Sequence, residues 1–391
     1  MKILIVHNNY GKYSGEEAVV DKMADMLMSH GHEVAFYRRT TEGVRESAVG
    51  KIKGFLSGIY SSSGVRGMWD ALRRERPDIV NVHNLYPFIS PAALFECKKS
   101  GVPVVMTIHN FRLICPTGLF MRDGLPCEVC LERGNEWSCV RYNCECNRLK
   151  SIGYTLRNVY ARWTGAYRKN VAAFACITDF QRQKLIAAGY DAERVTVIPN
   201  GIDAPASYDL TGGNYVAYIG RLSYEKGYDL LIEVARRNPS IPFRFAGAKR
   251  EQSDMEIPGN VEFMGYLQQE ELSDFICHSR FVVMPSRCYE GFPMAILEAA
   301  CYGKPTIGPA HGGFTEIIGR GEQAIGALFD PNNLDDLERK VVSLWNRPDE
   351  IARLGEKAFE KLKREYSSEV IYQKWDNLFQ KLIWNNYART I

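Results

Sequence analysis

Short apolar runs alternate with amphipathic segments along most of this chain. The apolar run Ile3–His7 precedes a segment in which Val20, Met23 and Leu27 recur at helical spacing, and Gly31 marks the predicted end of that helix. Strands that alternate with helices favour parallel sheets covered on both faces. The first half of the chain contains six predicted strands, namely Ile3–His7, Val34–Arg38, Ile79–His83, Val102–Ile108, Phe174–Thr178 and Val195–Pro199.

The same alternation starts again after a turn-rich segment without periodicity, which begins at Pro199 and runs to Gly213. The second set of predicted strands comprises Tyr215–Gly220, Phe243–Gly247, Val261–Gly265, Phe281–Pro285, Thr306–Gly308 and Leu328–Asp330. We therefore predict two doubly wound α/β domains, residues 1–203 and 204–368, that face each other across a cleft. The aromatic-rich helix predicted at Glu369–Tyr387 either packs back toward the first domain, as residues 369–391, or simply caps the chain.

Length and composition agree with two soluble cores and add a charge asymmetry. The chain has 391 residues, of which 46% are hydrophobic and 24% charged, and its net charge of +3 does not call for nucleic acid. Residues 1–203 carry 27 Lys and Arg against 20 Asp and Glu, a net +7, which leaves −4 for the rest. The basic half indicates an anionic partner such as a membrane surface or a phosphate-linked acceptor, unless the distribution is chance.

One basic segment and the N-terminal residues indicate where in the cell the protein is expected. Residues 148–169 carry six cations and four aromatic side chains without an acid, which indicates either a helix at an interface or a core helix with a cationic edge. The first apolar run reaches Asn8 within a few residues, so it predicts a buried strand and not a signal peptide. No run of 18 apolar residues occurs. We expect a cytoplasmic protein, at most peripheral at the inner face of the membrane.

The strongest chemical signal lies at residues 285–300, where a predicted strand end and a loop precede a helix that starts near Pro293. Glu290 lies in the loop and Glu298 about two turns inside the helix. Unpaired backbone N–H groups at the helix start would form an anion site for a diphosphate. The two carboxylates would accept hydrogen bonds from hydroxyl groups on either side of it. The residues expected around the anion are Gly291, Phe292, Met294 and Ala295.

A second signal follows the first predicted strand of the second domain. In an open α/β sheet, ligands bind beyond the carboxyl ends of the strands, which is where Arg221 and Lys226 lie. Arg offers a fork and Lys a point charge to phosphate oxygens. The segment is not GxGxxG, and no acid about twenty residues further on is placed for a ribose, which counts against a dinucleotide enzyme.

Together these segments resemble glycosyltransferase family 4, whose members are retaining enzymes with the two-domain GT-B fold. The resemblance rests on Gly220–Leu222, Lys226-Gly227, Pro285-Ser286, Glu290 through Glu298, and Ile198–Asp203. It implies that the second domain binds the donor and the first the acceptor. It also implies that Arg221 and Lys226 hold the diphosphate, that Glu298 binds the ribose, and that Glu290 binds the transferred sugar.

The first domain carries further parts of the resemblance. Ser14–Glu17 is similar to the family's glycine-rich loop, which implies that the backbone at Gly15 approaches the donor phosphates. His109 ends a predicted strand and matches the family's active-site histidine beside the reacting sugar carbon. His83 ends the preceding strand in the same way and stays a second candidate on the acceptor side. The segment His311–Glu316 resembles the family's Gly-Gly loop, which would shape the donor pocket.

Six of the eleven cysteines fall within residues 115–146. Such thiols in a cytoplasmic protein are not expected to be structural disulfides. A Cys-x-x-Cys pair is typical of tetrahedral zinc sites, so we predict a structural zinc bound by Cys115, Cys127, Cys130 and Cys144, with Cys139 as a rival ligand. The alternatives are a loop of unligated thiols and an incidental disulfide.

The resemblance implies a hexosyl transfer with retention, from a UDP- or GDP-sugar to a saccharide or lipid-linked saccharide in polysaccharide biosynthesis. No catalytic metal is expected, because no Asp-x-Asp is placed to hold one and Arg221 and Lys226 would neutralise the leaving diphosphate. Two alternatives come from other classes. One is a sugar-nucleotide epimerase of the same fold, and the other is a metal-binding interaction module that uses the cysteine loop and basic helix on nucleic acid.

Overall fold

The computed structural model describes residues 1–10, 14–42, 48–208, 212–249 and 255–388. The chain forms two compact units. Unit 1 comprises Met1–Phe120, Glu128–Pro199 and Tyr372–Ile391, and unit 2 comprises Met121–Cys127 and Asn200–Ile371. Each unit contains one six-stranded parallel sheet within the described ranges, so the predicted fold class of two doubly wound α/β domains is confirmed.

Every predicted strand overlaps an observed one. The strands are β1 Lys2–Asn9, β2 Glu33–Thr40, β3 Ile79–Asn84, β4 Val104–Ile108, β5 Met121–Arg122, β6 Leu125–Pro126, β7 Ala173–Cys176, β8 Val195–Val197, β9 Val216–Ile219, β10 Phe243–Ala246, β11 Val261–Gly265, β12 Phe281–Val283, β13 Thr306–Pro309 and β14 Gly326–Phe329. The short antiparallel hairpin β5–β6 was not predicted, since two-residue strands carry no periodic signal.

The helices cover the two sheets as a doubly wound fold requires. They are α1 Gly15–Ser29, α2 Ala48–Ile59, α3 Ser62–Glu75, α4 Leu94–Lys99, α5 Val129–Glu132, α6 Ser138–Arg141, α7 Arg148–Thr164, α8 Ala166–Asn170, α9 Asp179–Ala187, α10 Tyr228–Arg237, α11 Gln269–Cys277, α12 Met294–Ala300, α13 Gly312–Ile318, α14 Leu334–Trp345, α15 Pro348–Lys361 and α16 Ser368–Ala388. Among the residues described, no helix has both the length and the apolarity needed to cross a bilayer.

The strand order places one switch point in each sheet. Unit 1 has the order β2-β1-β3-β4-β7-β8, and unit 2 has β11-β10-β9-β12-β13-β14. The direction of winding reverses between β1 and β3 in unit 1 and between β9 and β12 in unit 2. Ligands of open α/β sheets bind outside the carboxyl ends of the strands at such points. The loops that follow these four strands are therefore the places to look for a site.

The central strands of each sheet are mainly apolar and lie in the core of their unit. In unit 1, β3 and β4 are buried along their whole length, and His7 and His83 are buried at the ends of β1 and β3. In unit 2, Phe243 and Phe281 of the sheet pack in one cluster with Leu231 of α10 and Leu337 of α14. At the C-terminus, Tyr372 of α16 hydrogen-bonds through its hydroxyl to Nε2 of His32 within unit 1, at 3.0 Å.

Candidate active site

In unit 2, the loop after β9 and the loop after β12 are in direct contact. Residues Tyr224–Lys226 form a short 3-10 turn, and Gly227 follows it at φ +69°, a conformation that favours glycine. A Cβ atom at Gly227 would lie 1.9 Å from the carbonyl oxygen of Pro285. Only glycine therefore allows the two loops to pack this closely, and this packing brings Lys226 to the second loop.

Lys226 and Glu290 form a half-buried ion pair at this contact. The Lys226 ammonium donates a hydrogen bond to Oε1 of Glu290, and the hydroxyl of Ser286 donates to the same oxygen at 3.0 Å. Burial alone would favour the neutral forms. The charge of each partner and these hydrogen bonds together outweigh it, which raises the pKa of Lys226 and lowers the pKa of Glu290. Both groups are therefore charged at neutral pH.

A second cation lies beside the pair. The Arg221 guanidinium is 3.3 Å from the carboxylate of Glu225, and its side chain is 40% exposed. The hydroxyl of Ser286 also hydrogen-bonds to the carbonyl oxygen of Glu225. The structure thus brings together the predicted Arg221, Lys226 and Glu290, and it adds Ser286 and Glu225, to which the sequence analysis assigned no role.

Arg287 and Asp229 form another pair that the sequence analysis missed. The two guanidinium nitrogens of Arg287 each lie 2.6 Å from an oxygen of Asp229, in a bidentate arrangement. The guanidinium also lies 4.0 Å from the ring centroid of Tyr224. This pair fixes the loop after β12 to the start of α10. No spacing rule identifies it, because the two residues are 58 positions apart.

The Gly-Gly pair that begins α13 packs on the backbone next to Glu290. The N–H of Gly313 donates to the carbonyl oxygen of Glu290 at 2.8 Å, and a Cβ at Gly313 would lie 2.5 Å from the carbonyl oxygen of Gly291. The ring of His311 meets Tyr289 edge-on at 5.3 Å, and neither of its buried ring nitrogens has a hydrogen-bond partner among the residues described. Burial lowers the pKa of His311.

The helix that carries Glu298 starts later than predicted. Pro293 is the N-cap residue, with ψ near 98°, so the helix begins at Met294 and has 7 residues. Glu298 therefore lies little more than one turn inside the helix, not two, and it is half-buried. Phe292 and Ala295 are buried, and Phe292 meets Tyr366 edge-on at 5.7 Å. Gly291 and Met294 are half-buried.

In unit 1, three histidines converge at the carboxyl ends of neighbouring strands. His7 lies on β1, His83 on β3, and His109 directly after β4. Nδ1 of His83 is 2.8 Å from Nε2 of His109, and the two rings stack at 5.1 Å. His7 meets His83 edge-on at 6.4 Å. The structure therefore brings both strand-end histidines of the sequence analysis into contact and adds His7.

Burial keeps these histidines neutral. It lowers the pKa of His7 to about 4, lowers the pKa of His83 well below its ordinary value, and lowers the pKa of His109. Next to them, Arg112 donates to the hydroxyl of Tyr10 at 2.9 Å, and that hydroxyl donates to Glu16 at 3.2 Å. The sequence analysis gave Tyr10 no role, although its position just after β1 is a signal that the strand-end rule would have picked up.

Ser14 and Gly15 begin helix α1. Ser14 is the N-cap residue, and its hydroxyl accepts from the Glu17 N–H at 3.4 Å and donates to the Glu17 carboxylate at 2.9 Å. Among the described residues, a Cβ at Gly15 would meet no atom within 4 Å apart from its chain neighbours and its own helix backbone. Packing inside the protein thus does not require glycine at this position. Its predicted approach to donor phosphates stays a prediction.

The predicted zinc site of Cys115, Cys127, Cys130 and Cys144 is not supported. In the part of the chain that the structure describes, no group of three or more His, Cys, Asp or Glu side chains is arranged to hold a metal ion. Cys127 belongs to the segment assigned to unit 2, whereas the other three belong to unit 1. All eleven cysteines are thiols.

Cys139, the rival ligand, lies beside Cys144 and close enough to Cys115 and Cys130 to interact with them electrostatically. A side-chain hydrogen bond with Cys144 lowers the pKa of Cys139, and the backbone N–H of Cys144 donates to the Cys139 carbonyl oxygen at 3.1 Å. Spacing alone does not decide the question. A Cys-x-x-Cys pair brings two thiols near each other, but only the fold decides whether a third and a fourth join them in the geometry that a metal requires.

Two family models together match most of the chain. Residues 13–204 match the model described as Glycosyltransferase Family 4, and residues 204–361 match the one described as Glycosyl transferases group 1. The chain belongs to glycosyltransferase family 4. This glycosyltransferase also resembles a solved structure, Anabaena HepE in complex with UDP and glucose, with a TM-score of 0.68, 16% identity, and coverage of 98% of this chain and 100% of that one. The likeness to HepE shows the GT-B fold.

Relatives in sequence cover the glycosyltransferase to different extents. An uncharacterised 42.6 kDa protein in the cps region of Klebsiella pneumoniae is 26% identical over 88% of this chain and 96% of its own length. Poly(ribitol-phosphate) alpha-N-acetylglucosaminyltransferase of Staphylococcus aureus is 28% identical, but the match covers 55% of this chain and 47% of that protein.

Proposed function

We propose that this glycosyltransferase moves a hexosyl group from a nucleoside diphosphate sugar to a saccharide or lipid-linked saccharide, with retention of the anomeric configuration, in polysaccharide biosynthesis. The observation that carries the proposal is the charged cluster of Lys226, Glu290 and Arg221 at the switch point of the unit 2 sheet. A half-buried lysine that keeps its charge is suited to bind an anion, and the family supplies the class of reaction.

Unit 2 is the proposed donor domain. Lys226 and Arg221 would bind the diphosphate, since their charges oppose those of its oxygens. Glu298 would accept hydrogen bonds from the ribose hydroxyls. Glu290 would accept one from the transferred sugar, with its carboxylate held in the ionised form by Lys226 and Ser286. The backbone at Gly291–Ala295 would lie beside the diphosphate.

The proposed reaction exchanges one bond at the anomeric carbon. The bond from this carbon to the diphosphate oxygen breaks, and the leaving diphosphate takes the electron pair. A bond to the acceptor oxygen forms on the same face of the sugar, and the acceptor's proton passes to the departing phosphate. Lys226 and Arg221 would stabilise the charge that develops on the diphosphate, so that no metal ion is needed for this purpose.

Unit 1 is the proposed acceptor domain, with His109 as its catalytic residue and Gly15 at a position where a donor phosphate approaches. The space around Gly15 supports this role, because among the described residues no atom outside its own helix backbone and its chain neighbours lies within 4 Å of a Cβ built there. Of the two nucleotides, we propose UDP first, because HepE was solved with UDP. The Klebsiella relative in the cps region supports a polysaccharide product.

We further propose that helix α7 contacts the inner face of a membrane in a cytoplasmic protein. The helix buries Ser151, Thr155 and Arg157, while Leu149 is 73% and Trp163 85% exposed. This arrangement is the reverse of an ordinary surface helix, which buries its apolar residues. Exposed cations near both ends of the helix would attract anionic lipid headgroups, and these are Arg148, Lys150, Arg162, Arg168 and Lys169.

Turnover of sugar nucleotides tests the main proposal. We expect incubation with UDP- and GDP-sugars to release UDP or GDP slowly without acceptor and faster with one, and we expect the product to keep the anomeric configuration of the donor. An isomerised sugar nucleotide would point to an epimerase, and no reaction with any donor would favour an interaction module. A product with the opposite anomeric configuration would contradict the proposed retention but not the proposed sugar transfer.

Flotation with vesicles tests the membrane contact separately. The full chain should float with vesicles rich in anionic phospholipid and not with zwitterionic ones, and the double variant Leu149→Ala, Trp163→Ala should lose this binding. Trp384→Ala is the matched control, since Trp384 is 75% exposed on α16, a different helix. Equal loss in the control would contradict a role for α7.

A further inference from the structure

The contact between His83 and His109 fixes more than the positions of the two rings. Their facing nitrogens, Nδ1 of His83 and Nε2 of His109, are 2.8 Å apart, which is a hydrogen-bond distance. Only one hydrogen can lie between two neutral imidazole nitrogens, so one ring donates and the other accepts. Because a neutral imidazole carries its hydrogen on one nitrogen only, the direction of this bond determines the tautomer of both rings.

Both rings are neutral in the folded protein. Burial lowers the pKa of His83 well below its ordinary value and also lowers the pKa of His109. His7, the third ring of the cluster, lies edge-on to His83 and is buried and neutral as well. Protonation of either member of the pair would place a cation among these desolvated rings.

The other nitrogen of His83 decides the direction of the bond. Nε2 of His83 is buried and has no hydrogen-bond partner among the described residues. If it carried the hydrogen, it would be a buried N–H without an acceptor, and such donors are rarer in folded proteins than under-satisfied acceptors. The hydrogen of His83 therefore belongs on Nδ1, where His109 accepts it.

We propose that His83 is a positioning residue that holds His109 in the Nδ1–H tautomer. The Nδ1–H of His83 donates to Nε2 of His109, and this nitrogen is thereby occupied as an acceptor. His109 then offers an N–H group at Nδ1 and no free lone pair. In the proposed function, on which this part of the inference rests, His109 donates a hydrogen bond to a sugar oxygen and is not the base that removes the acceptor's proton.

Nuclear magnetic resonance of the full chain with nitrogen-15-labelled histidine tests the tautomers directly. Two-bond hydrogen–nitrogen correlations distinguish a protonated ring nitrogen from a bare one, and the variants His83→Asn and His109→Asn assign the two signals. We expect Nδ1 to be protonated and Nε2 bare in both rings at neutral pH. A protonated Nε2 on His109 would overturn the proposal.

Two nearly isosteric variants of His83 test the positioning role. Asn places an amide N–H donor where Nδ1 of His83 stands, whereas Leu has a similar shape and no donor. His109 should keep its Nδ1–H tautomer in His83→Asn and lose the preference in His83→Leu. We expect kcat to fall roughly tenfold or more in His83→Leu, with the KM of the donor little changed, and to stay within about threefold in His83→Asn.

A purely structural role would affect Asn and Leu variants according to their stability, so the melting temperature is measured for both. Equal kcat values in the two variants would overturn the positioning role. The control His278→Leu removes a histidine that is 59% exposed on unit 2, and it should leave the His109 signals unchanged.

The two proposals can fail separately. If the tautomers are as expected but no sugar nucleotide reacts, the proposed function fails and the tautomer assignment stands. If sugar transfer is found while His109 carries its hydrogen on Nε2, the assignment fails and the function stands.

Discussion

The two candidate sites satisfy their buried polar atoms in different ways. In unit 2, half-buried groups are charged and paired, as Lys226 is with Glu290 and Arg287 with Asp229. In unit 1, the groups at the strand ends are neutral imidazoles, and both ring nitrogens of His7 and Nε2 of His83 have no hydrogen-bond partner among the described residues. The unit 2 site pairs its charged side chains, whereas burial keeps the three histidines of the unit 1 site neutral.

The difference matches the chemistry proposed for each unit. A diphosphate carries a negative charge that neutral groups cannot balance, so its site needs cations that stay protonated when desolvated. Glu290 provides this for Lys226 by raising the pKa of the ammonium. Hydroxyl groups of sugars are neutral, and a site for them works through the direction of hydrogen bonds. A positive charge on an imidazole would change which nitrogens donate and which accept, and burial prevents such a charge on His83 and His109 by lowering the pKa of both.

The largest effect is expected from removing Lys226, the half-buried cation of unit 2. Lys226→Ala should lower turnover on the order of a hundredfold or more, as the loss of one preorganised electrostatic group typically does. Steady-state kinetics with the preferred sugar nucleotide measures it. Arg353→Ala is the control, because Arg353 also pairs with a glutamate in unit 2 but on the exposed surface of α15. Equal turnover in Lys226→Ala and the control would show that the charged pair only stabilises the fold.

The next effect separates nucleotide binding from transfer. Glu298→Ala should weaken binding of free UDP or GDP by roughly 1.5–3 kcal/mol, the range for a hydrogen bond to a charged group, which is about 10- to 150-fold in Kd. Glu290→Ala should instead reduce turnover more than it weakens binding of the free nucleotide. Calorimetry with the nucleotide compares the two variants. Unchanged affinity in Glu298→Ala would rule out the ribose assignment.

A smaller effect is expected in how the free energy of unfolding depends on pH, and it should differ between the two units. The folded pKa of His7 is about 4 and its ordinary value is 6.5, so the unfolded chain binds a proton that the folded chain refuses as pH falls below 6.5. Each such histidine should therefore lower the free energy of unfolding by about 1.4 kcal/mol per pH unit between these values. The folded pKa of Glu290 lies below 4.5, so its contribution is retained down to about that pH and lost at lower pH.

Urea denaturation of the full chain between pH 6.5 and 5 measures this difference. The parent should lose stability more steeply than the His7→Asn variant, which has no titrating group at this position. Identical pH dependence in the two proteins would contradict a neutral His7 in the folded state.

The smallest expected effect is that of EDTA. If Lys226 and Arg221 neutralise the diphosphate, brief EDTA treatment should leave sugar transfer nearly intact, and magnesium should restore little activity to Lys226→Ala. Activity that vanishes in EDTA and returns with magnesium or manganese would show that a metal ion, not these side chains, carries that charge.

Much of the fold could be predicted because the signal is local. The strands of parallel sheets are continuous apolar runs, and each is followed by a loop whose position in the sheet depends on the strand order. Arg221, Lys226, Glu290 and His109 were therefore predicted from strand ends and motifs. The zinc site is not supported among the described residues, because the fold and not the spacing of the cysteines decides whether thiols meet in the geometry that a metal requires.

The sequence alone determined the class of fold, the family and the residue types available at each strand end. Only the tertiary structure decided which of them meet. Lys226 lies against Glu290 because Gly227 lets two loops approach, and His83 donates to His109 because β3 and β4 are neighbours in the sheet. Local periodicity determines where a strand ends. The hydrogen-bond or charge partner of a buried polar group comes from another strand, so the free energy cost of burying that group is offset only when the sheet forms.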